Sequence, residues 1–327
     1  MVFTINYLSI ANDSGSTPEG MALIADTHGN TWFYMMFAAD VLVGVFCLQL
    51  LYTFKVLVTL ASIETPPAIS LPLNTDNRKA SDVLGINERQ QYVTSSMRGT
   101  IKHLRTQAGF FSAWRGYCAS FVYYFATGSV ANILHSFLGT SLPASLVIGV
   151  LSILFFARFS LAVTHIIISR PQPTWWFKRV LATPWSSARQ TLPAMAHFAL
   201  AQWASYKLLA IASSGESSLP IRVSMFLLSF VVNLFVVLPL WVVLVRVQAS
   251  LLPDTEEAIV SFDRTFGKEV TGALSFKEAA RSFKCKGWQR IMMLVGKMVV
   301  IIASIAAVMA LARFAFLSFF IRDAALQ

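Results

Sequence analysis

A chain of 327 residues that is 56% hydrophobic and 13% charged carries more apolar surface than a soluble domain of its length can bury. Its mean hydropathy is positive, so a soluble globular class is excluded and an integral membrane protein is expected. The formal net charge of +10 falls in the connections between apolar runs, which suits anionic lipid and argues against nucleic acid as a partner.

Residues 1–31 form a polar N-terminal segment. Asp13, Glu19 and Asp26 interrupt it, and it lacks the basic start and apolar core of a signal peptide, so insertion is expected to rest on internal helices. The first apolar run covers about 32–60 and contains Asp40 and Lys55. A connection at 62–115 follows, with seven Lys or Arg against four acids. The uncharged block from Gly116 to Ala157 is too long for one helix, and Gly139-Thr140-Ser141-Leu142-Pro143 predicts a tight turn between two. Residues 170–189 hold four basic residues and no acid, and the fourth run covers about 191–213 with Lys207. The clearest span, Val223 to Val245, lies uncharged between Arg222 and Arg246 and is long enough to cross about 30 Å of hydrocarbon. Residues 246–297 hold nine basic residues against six acids, and a sixth run at about 291–320 contains Lys297 and Arg313.

The expected fold is therefore all-α, with six transmembrane helices arranged as three helix-pair repeats, 32–138, 139–213 and 214–327. The long basic connections lie on one side, opposite both termini. They are expected to carry amphipathic helices: Ser275-Phe276-Lys277-Glu278 has the form of a capping box, with Phe276, Ala279, Ala280 and Phe283 on one face.

Few residues carry chemistry. Cys47, Cys118 and Cys285 have neither CxxC spacing nor histidines at metal-ligand distance in sequence, so no disulfide frame and no metal site are expected. No phosphate-binding, metalloprotease or Ser/His/Asp pattern falls in a fitting context, which leaves catalytic residues and cofactors without support. Asp40 is the one acid inside the predicted spans and calls for a cation on a neighbouring helix, with Arg313 as the candidate. Arg158, His165 and Lys207 also fall within or near spans, where structural or interfacial roles are expected. Trp175-Trp176 beside Lys178-Arg179 suits a headgroup interface. Asn12 opens an Asn-x-Ser that matters only if the termini face a secretory lumen.

The stretch PLWVVLVRVQ, Pro239 to Gln248, resembles the signature that closes each odd-numbered helix of the mitochondrial carrier family, Pro-x-Asp/Glu-x-x-Lys/Arg-x-Arg/Lys-x-Gln. Pro239, Arg246 and Gln248 fall on that frame, while Trp241 replaces its acid and Leu244 its base. GFFSAWRGYCASFVYYFAT, Gly109 to Thr127, is similar to the end of the first connection and the start of the second helix in ADP/ATP-type carriers, with Ala108 and Ala126 replacing an acid and a proline. In the first odd helix only Lys55 of the signature remains, and Arg158 to Ile167 keeps none of its charges. The chain also looks like fungal membrane proteins that share the PLWVVL and FDRTFG stretches.

In that family, acid and base pairs form a ring that closes the cavity on the matrix side. The resemblance puts Tyr52, Ser160 and Trp241 at the three acid positions, so no ring forms, and a second ring would fall on uncharged Ser136 and Gly139. Tyr123 stands where a substrate-binding arginine is found, and Pro239 is expected to kink the fifth helix. Trp241 and Leu244 are read as lipid-facing or core-filling. The resemblance thus implies a membrane scaffold or adaptor, inner or outer mitochondrial, that contacts lipid such as cardiolipin and other membrane proteins rather than running ordinary exchange. The alternative is a transporter of a neutral, cationic or apolar solute, with Lys55, Tyr123 and His197 as cavity candidates. A third reading is an unrelated six-helix protein of the endoplasmic reticulum or plasma membrane.

Overall fold

The computed structural model describes residues 28–65, 93–214, 218–266 and 273–326, and these are largely helical. The expectations for Asn12 and for most of the N-terminal segment lie outside the described residues. In chain order the helices are α1 (His28–Ile63), α2 (Met97–Ala108), α3 (Tyr117–Leu138), α4 (Leu142–Phe155), α5 (Ala157–Ile168), α6 (Trp176–Ala182), α7 (Trp185–Ser213), α8 (Leu219–Val232), α9 (Leu238–Ser250), α10 (Phe276–Ser282) and α11 (Cys285–Leu326). The chain divides into two compact units, Met1–Leu51 and Tyr52–Gln327. The described part of the first is the N-terminal portion of α1, which exposes Phe37, Leu42, Phe46 and Leu48.

Three helical stretches are long and apolar enough to cross a membrane: Met36–Ile63, Leu219–Ser250 and Cys285–Ala315. The pair α4 and α5, bent by 54°, makes a fourth if taken as one broken span. The chain is thus an all-α, membrane-type protein with three or four candidate spans among the described residues, where composition predicted six. Helices α3 and α7 are also long, but they are not among these candidate spans. Their sequences explain the shortfall: α3 carries Ser120, Thr127, Asn132 and His135, and α7 carries Arg189, His197, Gln202 and Lys207.

The breaks between helices have local causes. Gly139 (φ +78°) ends α3, with its N–H returning to the His135 carbonyl at 3.0 Å, and α4 begins with Pro143 in its first turn. Pro239 cannot donate a backbone hydrogen bond, and its ring would collide with the Phe235 carbonyl in an unbroken α-helix. A π turn over Asn233–Val237 relieves this, since the Leu238 N–H reaches the Asn233 carbonyl five residues back. The α4–α5 bend needs no proline: it occurs at Phe156, in the bridge region at φ −93° and ψ 23°.

The core sits where three helix C-termini converge. Leu57, Leu60 and Ile63 of α1 pack with Val163, Ile167 and Ile168 of α5 and with Val245 and Ala249 of α9. A neighbouring cluster joins Val58 and Ala61 to Val242 and to Ile291 and Leu294 of α11. A third places Met195 of α7 against Val243, Val247, Leu274 and Ala279, seating α10 against α9. The capping box holds α10 in register: Ser275 N–H donates to Glu278 Oε2 at 2.8 Å, and Glu278 N–H donates to Ser275 Oγ. Far from this end, α8 exposes Phe226, Leu227 and Phe230, as a lipid-facing helix does.

Candidate functional site: a cavity above a tied floor

Side chains of α1, α3, α4, α5, α7 and α9 enclose a cavity of about 620 Å³ above the convergent core. Its stripe on α7 is Met195, Phe198, Gln202 and Tyr206, at helical spacing. His197 falls off that stripe. It is exposed, its Nδ1 lies 2.7 Å from the Pro193 carbonyl and its ring stacks on Phe276 with centroids 4.4 Å apart, outside the residues that line the cavity.

Lys55 and Tyr123 do line the cavity, and so do Trp241, Leu244 and Gln248 of the carrier-like frame. Lys55 Nζ lies 3.4 Å from Ser120 Oγ, 4.9 Å from the Tyr124 ring centroid and 5.8 Å from that of Tyr52. No carboxylate is among the lining residues, whereas Lys207 and His135 are. Pro239 and Arg246 do not face the cavity, and Asp40 and Arg313 sit partly buried on α1 and α11.

Below the cavity, neutral hydrogen bonds tie the helices together. Gln248 uses its whole amide: Oε1 accepts from Thr164 Oγ1 at 2.6 Å and Nε2 donates to Ser160 Oγ at 3.1 Å. Its carbonyl lies 2.9 Å from His165 Nε2, so α5 and α9 are tied by both side chain and backbone. Tyr52 donates to the Arg115 carbonyl.

Arg246 points the other way. Only 5% exposed, it donates from Nη1 to the Ser62 carbonyl at 2.7 Å and from Nε to Ser282 Oγ at 3.1 Å. Its guanidinium lies 4.0 Å from the Phe266 ring centroid and 5.2 Å from that of Phe283. A buried cation is thus held by carbonyl, hydroxyl and two aromatic faces, linking α9, the end of α1 and α10.

Carboxylates at the floor do have cationic partners, and two of them are largely buried, Glu64 and Glu256. Glu64, buried just past α1, accepts from Val93 N–H at 2.5 Å, Thr94 N–H at 3.1 Å and the Thr94 hydroxyl, and pairs with Arg290 of α11 at 3.1 Å. Glu256 pairs with Arg179 of α6 at 2.5 Å, and Arg179 also donates to Ser169 Oγ at 3.0 Å. Arg115 shares this neighbourhood. Burial, with the like charge of Arg179 second, lowers its pKa to about 10, while Glu256 acts in the opposite sense. Burial also lowers that of Arg179, again opposed by Glu256.

Residues 257–263 then form a strap across the floor. Arg170 N–H donates to the Glu257 carbonyl at 2.7 Å and Ile259 N–H to the Ile168 carbonyl at 2.9 Å, an isolated antiparallel bridge at the end of α5. The same strap reaches the end of α1: Thr65 N–H donates to the Ser261 carbonyl at 3.1 Å, and Asp263 N–H to Thr65 Oγ1 at 2.9 Å. His103 of α2 adds a 3.1 Å contact to the Ile259 carbonyl.

Sequence reasoning missed Glu64, Arg290 and the strap as ties. Backbone pairing of one short segment leaves no hydrophobic period to read, and Glu64 lies beside its partners only after folding. No known family matches the chain by family model, and no curated protein matches it either.

Proposed function

We propose that this is a carrier-like membrane scaffold or adaptor with a cavity open on one side, whose opposite side does not open in a transport cycle. The observation that carries the reading is the strap, which bonds the end of α5 and the end of α1 to one continuous segment. Parting those helices would also break the Gln248 bonds to α5 and the Arg246 bond to Ser62. At roughly 1 kcal/mol net for each such bond, the total approaches the roughly 5–15 kcal/mol that holds a whole domain folded. A helix-parting step of that size is too costly to repeat in each turnover.

The likeness of Gly109 to Thr127 and of Pro239 to Gln248 to carrier sequences favours a mitochondrial membrane, with lipid and other membrane proteins as partners. Uptake into proteoliposomes, screened with nucleotides, carboxylates, amino acids and cations, tests this. No saturable uptake is expected from correctly folded protein, and saturable uptake of any of them overturns the scaffold reading. The transporter reading stands second, favoured by the meeting of polar side chains from six helices at one cavity.

A further inference from the structure

We infer that the cavity is a binding site for a small amphipathic anion, a single carboxylate or phosphate on an aromatic or aliphatic body, with its charged head at Lys55. A volume of about 620 Å³ lies within the usual range for small-molecule sites. The charge on its wall has one sign: Lys55 and Lys207 line it, and no carboxylate does.

Lys55 is the more telling of the two. The polar groups that share the wall, among them Thr59, Ser160, Thr164 and Gln248, carry no charge. The ammonium is left with one long hydrogen bond to Ser120 and the faces of Tyr124 and Tyr52. A cation in a protein-lined, largely apolar cavity gains most from an ionised acceptor, which none of the described lining residues supplies. Such an acceptor must come with the ligand.

The second cation lies farther from the core. Lys207 is twelve residues beyond Met195 on α7, or roughly 18 Å at 1.5 Å per residue, and Met195 packs into the core beneath the cavity. Lys207 therefore raises the local concentration of anions on their way to Lys55. Between the two, Trp203, Trp241, Phe198 and Leu244 offer apolar and aromatic surface that suits a hydrophobic body better than a fully hydrated ion.

The test is calorimetric titration of detergent-solubilised full-length protein with three probes that share one ring system: 1-naphthyl phosphate, 1-naphthol and (1-naphthylmethyl)trimethylammonium. The phosphate is expected to bind at least about tenfold more tightly than the other two, the effect of one charge-assisted hydrogen bond. Lys55→Gln should lose about tenfold for the phosphate and little for the alcohol, whereas exposed Lys178→Gln should lose nothing. Lys207→Gln, with an intermediate loss, serves if Lys55→Gln does not keep its melting temperature. Equal affinity for the three probes overturns the proposal, as does absence of binding or phosphate affinity indifferent to both cavity lysines. Competition by laurate or by benzoate then separates a lipid-derived from a water-soluble source. Because no vesicle is used, failure here leaves the scaffold reading intact, and saturable uptake would overturn that reading without touching this one.

Discussion

Replacing Arg246 by methionine isolates one tie in the floor. Methionine keeps much of the apolar stem and removes the guanidinium, so the Ser62 carbonyl and Ser282 Oγ lose donors at 2.7 and 3.1 Å, and Phe266 and Phe283 lose a cation between them. A hydrogen bond to a charged group contributes roughly 1.5–3 kcal/mol and a desolvated cation–π contact about 2 kcal/mol. Against this stands the cost of burying the charge, several kcal/mol for one ion. No carboxylate is stranded by the change, so the loss should stay below that of breaking a buried ion pair, at roughly 2–3 kcal/mol. For a chain of this size that is on the order of 5 °C in melting temperature. The assay is thermal unfolding in one detergent, with Ser282→Ala and the double variant completing a cycle whose coupling should be near 1 kcal/mol. An unchanged or raised melting temperature for Arg246→Met would show that desolvation outweighs the bonds and that Arg246 does not hold the floor.

Glu64→Gln should cost roughly 2–4 kcal/mol, since an amide cannot accept all the bonds that Val93, Thr94 and Arg290 donate to the carboxylate; denaturant titration of the solubilised protein reads this directly. Gly116→Ala should destabilise by roughly 1–2 kcal/mol from its left-handed φ of +71° alone, and the new Cβ would meet Ile166 Cγ2 at 3.2 Å and Tyr52 Oη at 3.3 Å; a melting temperature equal to wild type refutes this. Arg115 has a buried Nη1 without a hydrogen-bond partner and faces Arg179, so Arg115→Leu should be neutral or stabilising while Glu256→Gln lowers the melting temperature. Because burial puts the folded pKa of Arg115 at about 10, below its ordinary value, the cost of its charge is fully present at any lower pH and is relieved only above that. Melting temperatures measured from pH 6 to 9 should therefore show the same gain from Arg115→Leu throughout.

How much could be read beforehand differs element by element. The uncharged run ending at Arg246, the turn at Gly139 and the capping box at Ser275 are local, and local chemistry is what a single sequence displays. The bend at Phe156 was not legible, because it lacks proline or glycine and arises where α5 packs on all sides. The modest hydropathy of α3 and α7 has a related reason: the polar residues that lower it include several that line the cavity, such as Asn132, His135, Gln202 and Lys207. The placement of His197 turned on a helical phase, in which a shift of two residues rotates a side chain by about 200°. Lys55 could be found in the signature frame, but its company of Ser120 and Tyr124 depends on a helix more than sixty residues away.

Where charge sits in the floor bears on whether it can act as a gate. An acid and a base facing each other inside the bilayer attract strongly at low dielectric, yet one pair can exchange partners while the others hold. Here Tyr52, Ser160 and Trp241 are uncharged, and the paired carboxylates Glu64, Asp254, Glu256 and Glu257 lie beyond the helix ends. Paired charge thus sits in the segments that bind the helix ends together. Those segments are joined through backbone as well as side chain, so releasing α1 from the strap frees Thr65 N–H and the Ser261 carbonyl together and leaves both without partners until water reaches them. Neighbouring ties along the same strap, at Ile259 and Glu257, are disturbed by the same displacement. Opening is then cooperative rather than stepwise. A floor of this construction favours rigidity over graded exchange of partners, while the cavity above it keeps Lys55 and Lys207 on its wall.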